Sequence, residues 1–246
     1  MVTYIGTSWK MTKTLAEARR YAEALAAASV DTASVQPFVL PPATALASVA
    51  EILRPYPDLW VGAQNAHWAE QGAYTGEVSM AQVKDAGATM VEIGHSERRR
   101  GFSETDEWVA QKVARAVSVG LRPLVCIGES ESVRALGGQE AFVLAQAEAA
   151  LSCVGEDAHG QVILAYEPEW AIGAGGRPAV PEEAAGVVRG LAERFPGVAG
   201  VLYGGSVSAA TMGDYLDLDG CDGVFVGRAA WTVEGFVEML QAVAVS

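Results

Sequence analysis

The sequence of 246 residues is poor in cysteine and histidine, with three of each. Cys126, Cys153 and Cys221 stand far apart, and none belongs to a C-x-x-C pair. That argues against a disulfide framework and suits reduced core thiols in a cytoplasmic protein. No cluster of His, Cys or Asp has metal-ligand spacing, so no metal is expected. Basic residues are scarce as well: 17 Lys+Arg against 30 Asp+Glu give a formal net charge of −13. The one basic cluster, "ERRR" at 97–100, is too small for a duplex-binding surface, and no nucleic-acid partner is expected. No apolar run reaches the roughly 18 residues of a membrane span. The opening "MVTYIGTSWKM" lacks the basic and apolar regions of a signal peptide. Nucleotide signatures are missing too. There is no G-x-x-x-x-G-K-[ST], and "GAGGRP" fails G-x-G-x-x-G at Pro178. Together these absences point to chemistry without a cofactor, and to no membrane partner.

What the chain does have is a regular alternation. Eight short apolar runs occur at 3–9, 37–41, 59–65, 89–94, 122–128, 162–167, 200–205 and 223–227. Near-continuous apolar strands suit a parallel sheet covered on its outside. Helical patterns lie between them. In "TLAEARRYAEALAAA" Leu15, Ala18, Ala22 and Leu25 share a face, with Thr14 and Glu17 placed as a capping box. In "TDEWVAQKVARAVSVG" Val109, Val113 and Val117 repeat every four residues and Gly120 marks a stop. "PEEAAGVVRGLAERF" opens with Pro181 and two acids, a good helix start. No linker or low-complexity segment divides the chain. The expectation is an α/β protein, one (β/α)8 barrel domain over 1–246.

In such a barrel the site is built at the C-terminal ends of the strands. Ser8 and Lys10 follow the first run, and His95, Ser96 and Glu97 the fourth. Glu167 ends the sixth, Gly204, Gly205 and Ser206 follow the seventh, and Gly227 and Arg228 the eighth. A carboxylate at the tip of a buried strand is costly unless it is paired or used. Glycine-rich turns leave backbone N–H groups free to hold a phosphate. The stretch "VILAYEPEWAIGAGG" sets Glu167 directly before proline and a glycine-rich loop, a carboxylate with a mobile loop attached.

These segments resemble the triosephosphate isomerase family. The resemblance is carried by "WKM" (9–11), "GAYTGE" (72–77), "EIGHSERR" (92–99), "VCIGE" (125–129), "AYEPEWAIGAG" (165–175) and "YGGSV" (203–207). It covers essentially the whole chain and implies a TIM barrel that is an aldose–ketose isomerase of a short sugar phosphate, acting through an enediol(ate). By that match Lys10, His95 and Glu167 are the expected catalytic residues, with Ser8 and Glu97 supporting. The expected lid runs Pro168, Glu169, Trp170, Ala171, Ile172, Gly173, Ala174, Gly175, Gly176. Lys10, Gly173, Ser206, Gly227 and Arg228 are the expected substrate and phosphate contacts. The loop 65–77 implies a homodimer, with Thr75 reaching the partner's site. The default substrates implied are glyceraldehyde 3-phosphate and dihydroxyacetone phosphate.

The chain also departs from the family's usual pattern. Ser8 stands where the family usually has asparagine, and "GRAA" replaces the usual "GGAS", putting Arg228 at a glycine position. Glu169 occupies a lid hinge that is usually aliphatic. The proton-transfer trio is spared. This pattern resembles the sister isomerases of four-carbon erythrulose phosphates, which form the alternative reading. A sugar-phosphate-binding barrel without catalysis is the alternative of another class.

Overall fold

The computed structural model describes residues 2–28, 30–172 and 177–244. The expected lid residues Gly173, Ala174, Gly175 and Gly176 lie outside the described residues. All eight apolar runs become strands: β1 (Thr3–Ser8), β2 (Val35–Leu40), β3 (Trp60–Ala63), β4 (Met90–Ile93), β5 (Arg122–Ile127), β6 (Ile163–Tyr166), β7 (Gly200–Tyr203) and β8 (Gly223–Val226). They close in sequence order, β8 pairing back onto β1, into one parallel barrel. The register β1 to β2 is unbroken from Thr3↔Val35 to Ser8↔Leu40. Helices fill the connections: α1 (Leu15–Ala27), α2 (Leu46–Leu53), α3 (Met80–Asp85), α4 (Ser96–Phe102), α5 (Asp106–Val119), α6 (Glu131–Ala135), α7 (Gln139–Leu151), α8 (Pro181–Arg194), α9 (Met212–Leu216) and α10 (Val233–Ala244). Among the described residues no helix is long and apolar enough to cross a membrane.

Local sequence explains the helix ends. The Thr14–Glu17 capping box forms, with the Thr14 backbone N–H donating to Glu17 Oε2 at 2.8 Å. Gly120 caps α5, and Pro181 sits in the first turn of α8. One expectation fails: Leu15 is exposed, and Tyr21 takes its place on the buried face with Ala18, Ala22 and Leu25. The buried stripe of α1 begins one turn into the helix, at Ala18. Cysteine is a second correction. Cys126 is buried in the barrel, but Cys153 is exposed and Cys221 half-buried, all three with free thiols.

The core has two compartments. Inside the barrel Phe38, Leu40, Met90, Leu124, Ile163, Leu202 and Phe225 fill the bore, with Phe38 and Phe225 stacked at 5.8 Å. Outside, side chains of opposite alternation, such as Val39, Val91, Val125 and Leu164, pack against the helices. Each fully buried aliphatic or aromatic side chain here contributes roughly 1.5–3 kcal/mol. The same alternation decides which strand residues can reach the mouth from within. On β4, Met90 points into the bore, so Glu92 two residues later does too, while Val91 and Ile93 point outward.

Candidate active site

The rim is assembled strand by strand. β1 ends at Ser8, and the chain then turns through Lys10, one of two described non-glycine residues with positive φ (50°). A lysine holds that left-handed conformation only at some cost, of order 1 kcal/mol. Gln64 fixes it: its amide nitrogen donates to the carbonyls of Lys10 (3.0 Å) and Leu40 (2.8 Å). The turn carries the Lys10 ammonium to Glu97, with Nζ 2.9 Å from Oε1. Burial alone would lower the Lys10 pKa. The nearby Glu167 and Glu97 carboxylates outweigh it and hold the ammonium above the ordinary lysine value.

His95 follows β4 and caps α4. Its Nδ1 accepts the backbone N–H of Glu97 at 3.0 Å. A ring nitrogen that accepts carries no proton, so the imidazole is the neutral tautomer with its hydrogen on Nε2. The peptide before it is clamped from both sides. The Gly94 N–H donates to Glu104 Oε1 (3.0 Å), and the Gly94 carbonyl accepts from Arg99 Nε (2.7 Å). Glu104 is itself buried and bonded to Lys112 (2.7 Å) and Arg98 (2.8 Å). Burial pushes the Glu104 carboxyl up, but Lys112 and Arg98 more than offset this and hold it below the usual carboxylate range. The orientation of His95 thus rests on a buried ion pair behind it.

Glu167 is the first residue after β6 and is buried. Its N–H donates to the Ile127 carbonyl at 2.7 Å. Two glycines make room for it. A Cβ at Gly128 would stand 1.9 Å from the Glu167 carbonyl oxygen, and one at Gly204 would stand 2.6 Å from Glu167 Cγ. The side chain crosses the mouth, bringing Oε1 to 3.5 Å from His95 Nε2. Neither His95 Nε2 nor Glu167 Oε2 has a hydrogen-bond partner among the described residues, although both are buried. Buried polar atoms are rarely left so, and an explanation is needed for each. The Glu167 carboxyl and the His95 imidazole approach one another, each with a buried unpartnered atom, and together describe a seat for a third molecule that both can touch.

The described start of the lid is the 3-10 turn Glu169–Ala171 after Pro168. Trp170 Nε1 donates to the fully buried Glu129 (2.8 Å), as does the Tyr166 hydroxyl (3.2 Å). The guanidinium groups of Arg134 and Arg177 each lie 4.4 Å from the Trp170 ring. Ala171 is buried, Ile172 half-buried, and the Ala171 carbonyl accepts the Ser206 hydroxyl at 2.7 Å. Glu169 lies 3.7 Å from Arg100 of α4, and burial raises its pKa despite that partner. The Ser206 hydroxyl is therefore engaged with the segment after Pro168. Gly227 is half-buried, and Arg228 is exposed at the start of a 3-10 turn. Thr75 is exposed in the projecting loop, beside exposed Tyr74 and Val78. Among the described residues no group of His, Cys, Asp and Glu could hold a metal ion.

The geometry thus brings Ser8, Lys10, His95, Glu97 and Glu167 together. It adds Gln64, Glu104 and Glu129, which sequence reading missed because each acts through a backbone turn or a neighbour. It also adds Glu92, fully buried two residues beyond Met90 in the bore. Ser8 Oγ donates to Glu92 Oε2 at 2.9 Å, and burial, with Glu167 nearby, pushes this carboxyl up to about 7. Its signal was legible, a lone acid within the apolar run "MVEI". Chemically the mouth offers a carboxylate, a neutral imidazole N–H and an ammonium around one point, which suits proton transfer next to a carbonyl.

Comparison with known proteins identifies the family. The family model described as triosephosphate isomerase matches residues 3–243. An L-erythrulose-1-phosphate isomerase of Mycolicibacterium smegmatis is 49% identical over 244 residues, covering 98% of this chain and 93% of that protein. Proteins of the same name from Rhizobium etli (45% identical over 249 residues, 99% and 93% covered) and Brucella abortus (46% over 247 residues, 96% and 94%) are similar to it as well. The chain belongs to the triosephosphate isomerase family and is an isomerase of that fold.

Proposed function

We propose that this protein isomerises a four-carbon ketose phosphate, of the kind named for its relatives, L-erythrulose 1-phosphate. In this reading Glu167 is the base that moves a proton between neighbouring carbons. His95 donates its Nε2 hydrogen to the carbonyl oxygen, and Lys10 stabilises the negative charge of the enediolate. The observation that carries it is the pair of buried, unpartnered atoms, His95 Nε2 and Glu167 Oε2, with the Lys10–Glu97 pair at the same mouth. In a ketose 1-phosphate the phosphorylated carbon flanks the carbonyl on one side, so the proton comes off C3 on the other. The C3 proton goes to Glu167, the C2 carbonyl becomes an enediol, and reprotonation at C2 leaves the carbonyl at C3. The same chemistry that links an aldose and a ketose for a triose phosphate links two ketoses here. The backbone N–H groups of the turns after β7 and β8 and the exposed Arg228 would hold the phosphate. The segment from Pro168 onward would close over the intermediate and exclude water.

Triose phosphate is the second reading, favoured by the description of the family model. The deciding experiment measures kcat/KM for L-erythrulose 1-phosphate and for dihydroxyacetone phosphate, with solvent deuterium incorporation followed by NMR. A preference of at least about 100-fold for the four-carbon substrate is expected, and the reverse preference would overturn the reading. Binding of either compound without deuterium incorporation would instead support a non-catalytic binding barrel. We further infer a homodimer through the exposed loop bearing Tyr74, Thr75 and Val78, which light scattering would report as twice the chain mass.

A further inference from the structure

Two polar links run from the end of β1 to β4. Lys10 and Glu97 form the upper one at the mouth, 2.9 Å apart. Ser8 and Glu92 form the lower one, 2.9 Å apart, both side chains buried. Below them the bore is apolar save for the Cys126 thiol, whose sulfur lies 3.9 Å from Glu92 Oε1. A carboxyl in that position has no evident structural task. Among the described residues it pairs with no cation and caps no helix, and its partners are a serine hydroxyl and the weak Cys126 thiol donor. Burying such a group in an apolar bore is costly, and an alkyl side chain of the same volume would fill the space at no such cost.

We propose that Ser8 and Glu92 are specificity-determining residues that receive the unphosphorylated end of the substrate and hydrogen-bond its terminal hydroxyl. The inference rests on the four-carbon reading above and deepens it. Its geometry comes from the ring of strands. The phosphate is held by the turns after β7 and β8, and the reacting carbon lies between Glu167 and His95. In the closed order of eight strands β4 stands opposite β8. A chain anchored at β8 and reacting at His95 therefore points its remaining carbon towards β4. In dihydroxyacetone phosphate the carbon chain ends at the reacting carbon. In a four-carbon ketose phosphate a hydroxymethyl group extends beyond it. Ser8 and Glu92 are the polar side chains below the Lys10–Glu97 pair on that side of the barrel, and serine is a short side chain. The Glu92 carboxyl, pushed up to about 7 by burial, retains a proton over much of the neutral range. An un-ionised carboxyl both donates and accepts, which matches an alcohol.

The test is the ratio of kcat/KM for L-erythrulose 1-phosphate to that for dihydroxyacetone phosphate, in wild type, Glu92→Leu, Glu92→Gln and Ser8→Ala. Glu92→Leu should lower the ratio by about 30-fold or more, the scale of hydrogen bonds lost at a buried polar group. Glu92→Gln keeps one donor and one acceptor in the same outline and should hold the ratio within about fivefold of wild type. A merely structural Glu92 would lower both substrates together, and a ratio unchanged within about threefold in Glu92→Leu overturns the proposal. Should Glu92→Leu fail to fold, Ser8→Ala carries the test, with a drop of about fivefold expected and no change in the ratio overturning it. A wild-type protein that uses only the triose overturns the four-carbon reading together with this one. An active wild type with insensitive variants overturns this one alone.

Discussion

Gly204→Ala probes the proposed base without touching it. The added Cβ would stand 2.6 Å from Glu167 Cγ and 3.4 Å from its Oε1. Carbon atoms settle at about 3.5–4.0 Å, so Cγ must recede by roughly 1 Å. The Glu167 backbone cannot yield, because its N–H is bonded to Ile127 and its carbonyl lies against Gly128. The side chain must rotate instead, carrying the carboxylate off its 3.5 Å approach to His95. A misplacement of ~1 Å costs on the order of 100-fold in rate, or about 3 kcal/mol of barrier. Gly204 has no positive φ, so alanine fits its backbone and the fold should hold. The assay is steady-state turnover beside a thermal melt, with Gly186→Ala on α8 as control. A Cβ at Gly186 meets nothing within 4 Å. That control should therefore gain about 0.5–1 kcal/mol from helix propensity and keep its activity. For Gly204→Ala, kcat should fall with KM little changed and the melt within a few degrees of wild type. A kcat within about threefold of wild type would refute the reasoning, since it would mean that the position of Glu167 does not limit turnover.

Three other substitutions act on the same geometry. Glu167→Asp shortens the proposed base by one carbon and should cut kcat by about 100-fold or more with the fold intact, as activity beside circular dichroism would report. Glu104→Gln leaves Lys112 buried without its carboxylate and slackens the clamp on the peptide before His95; a loss of about 3–5 kcal/mol, seen as a Tm drop of about 10 °C, is expected. Because the folded Glu104 pKa is depressed, its contribution is present above the ordinary carboxylate range and is lost as pH falls through the depressed value. The glutamine variant should therefore show a flatter acid limb of Tm against pH. Glu92 has the opposite sign. Its folded pKa is raised from 4.5 to about 7, so its contribution is present below the ordinary range and is lost as pH rises through about 7, a change of order 3 kcal/mol. Glu92→Leu should gain on wild type in Tm between pH 5 and pH 8, and parallel curves would contradict the burial argument.

The barrel was legible because eight apolar runs at regular spacing leave few other ways to bury them all, and the runs coincide with the strands to within two residues at each end. Lys10, His95 and Glu167 were legible because each follows an apolar run, where a charged or titratable group demands a reason. What lay hidden were groups defined by partners distant in sequence. Gln64 reads as one more loop amide until its nitrogen is seen holding the Lys10 carbonyl. Glu104 reads as a helix-start acid until Gly94, Arg98 and Lys112 converge on it. Glu92 was visible as an oddity, but the inward phase of β4 and the reach of Ser8 had to be known first. Leu15 shows the reverse error: periodicity names a face of a helix but not where along its length the neighbour begins.

The two links between β1 and β4 divide the molecule in a way that strand order alone does not suggest. Ser8, Lys10, Glu92, His95 and Glu97 all arrive with the first four strands or the turns after them, so the groups proposed to polarise a carbonyl belong to one half of the chain. Glu167, the lid and the phosphate turns arrive with the last four. In the proposed mechanism one half carries the electrostatics and the other carries the base and the grip. On that mechanism the reaction needs both halves, so closing the ring of strands and completing the catalyst are the same event.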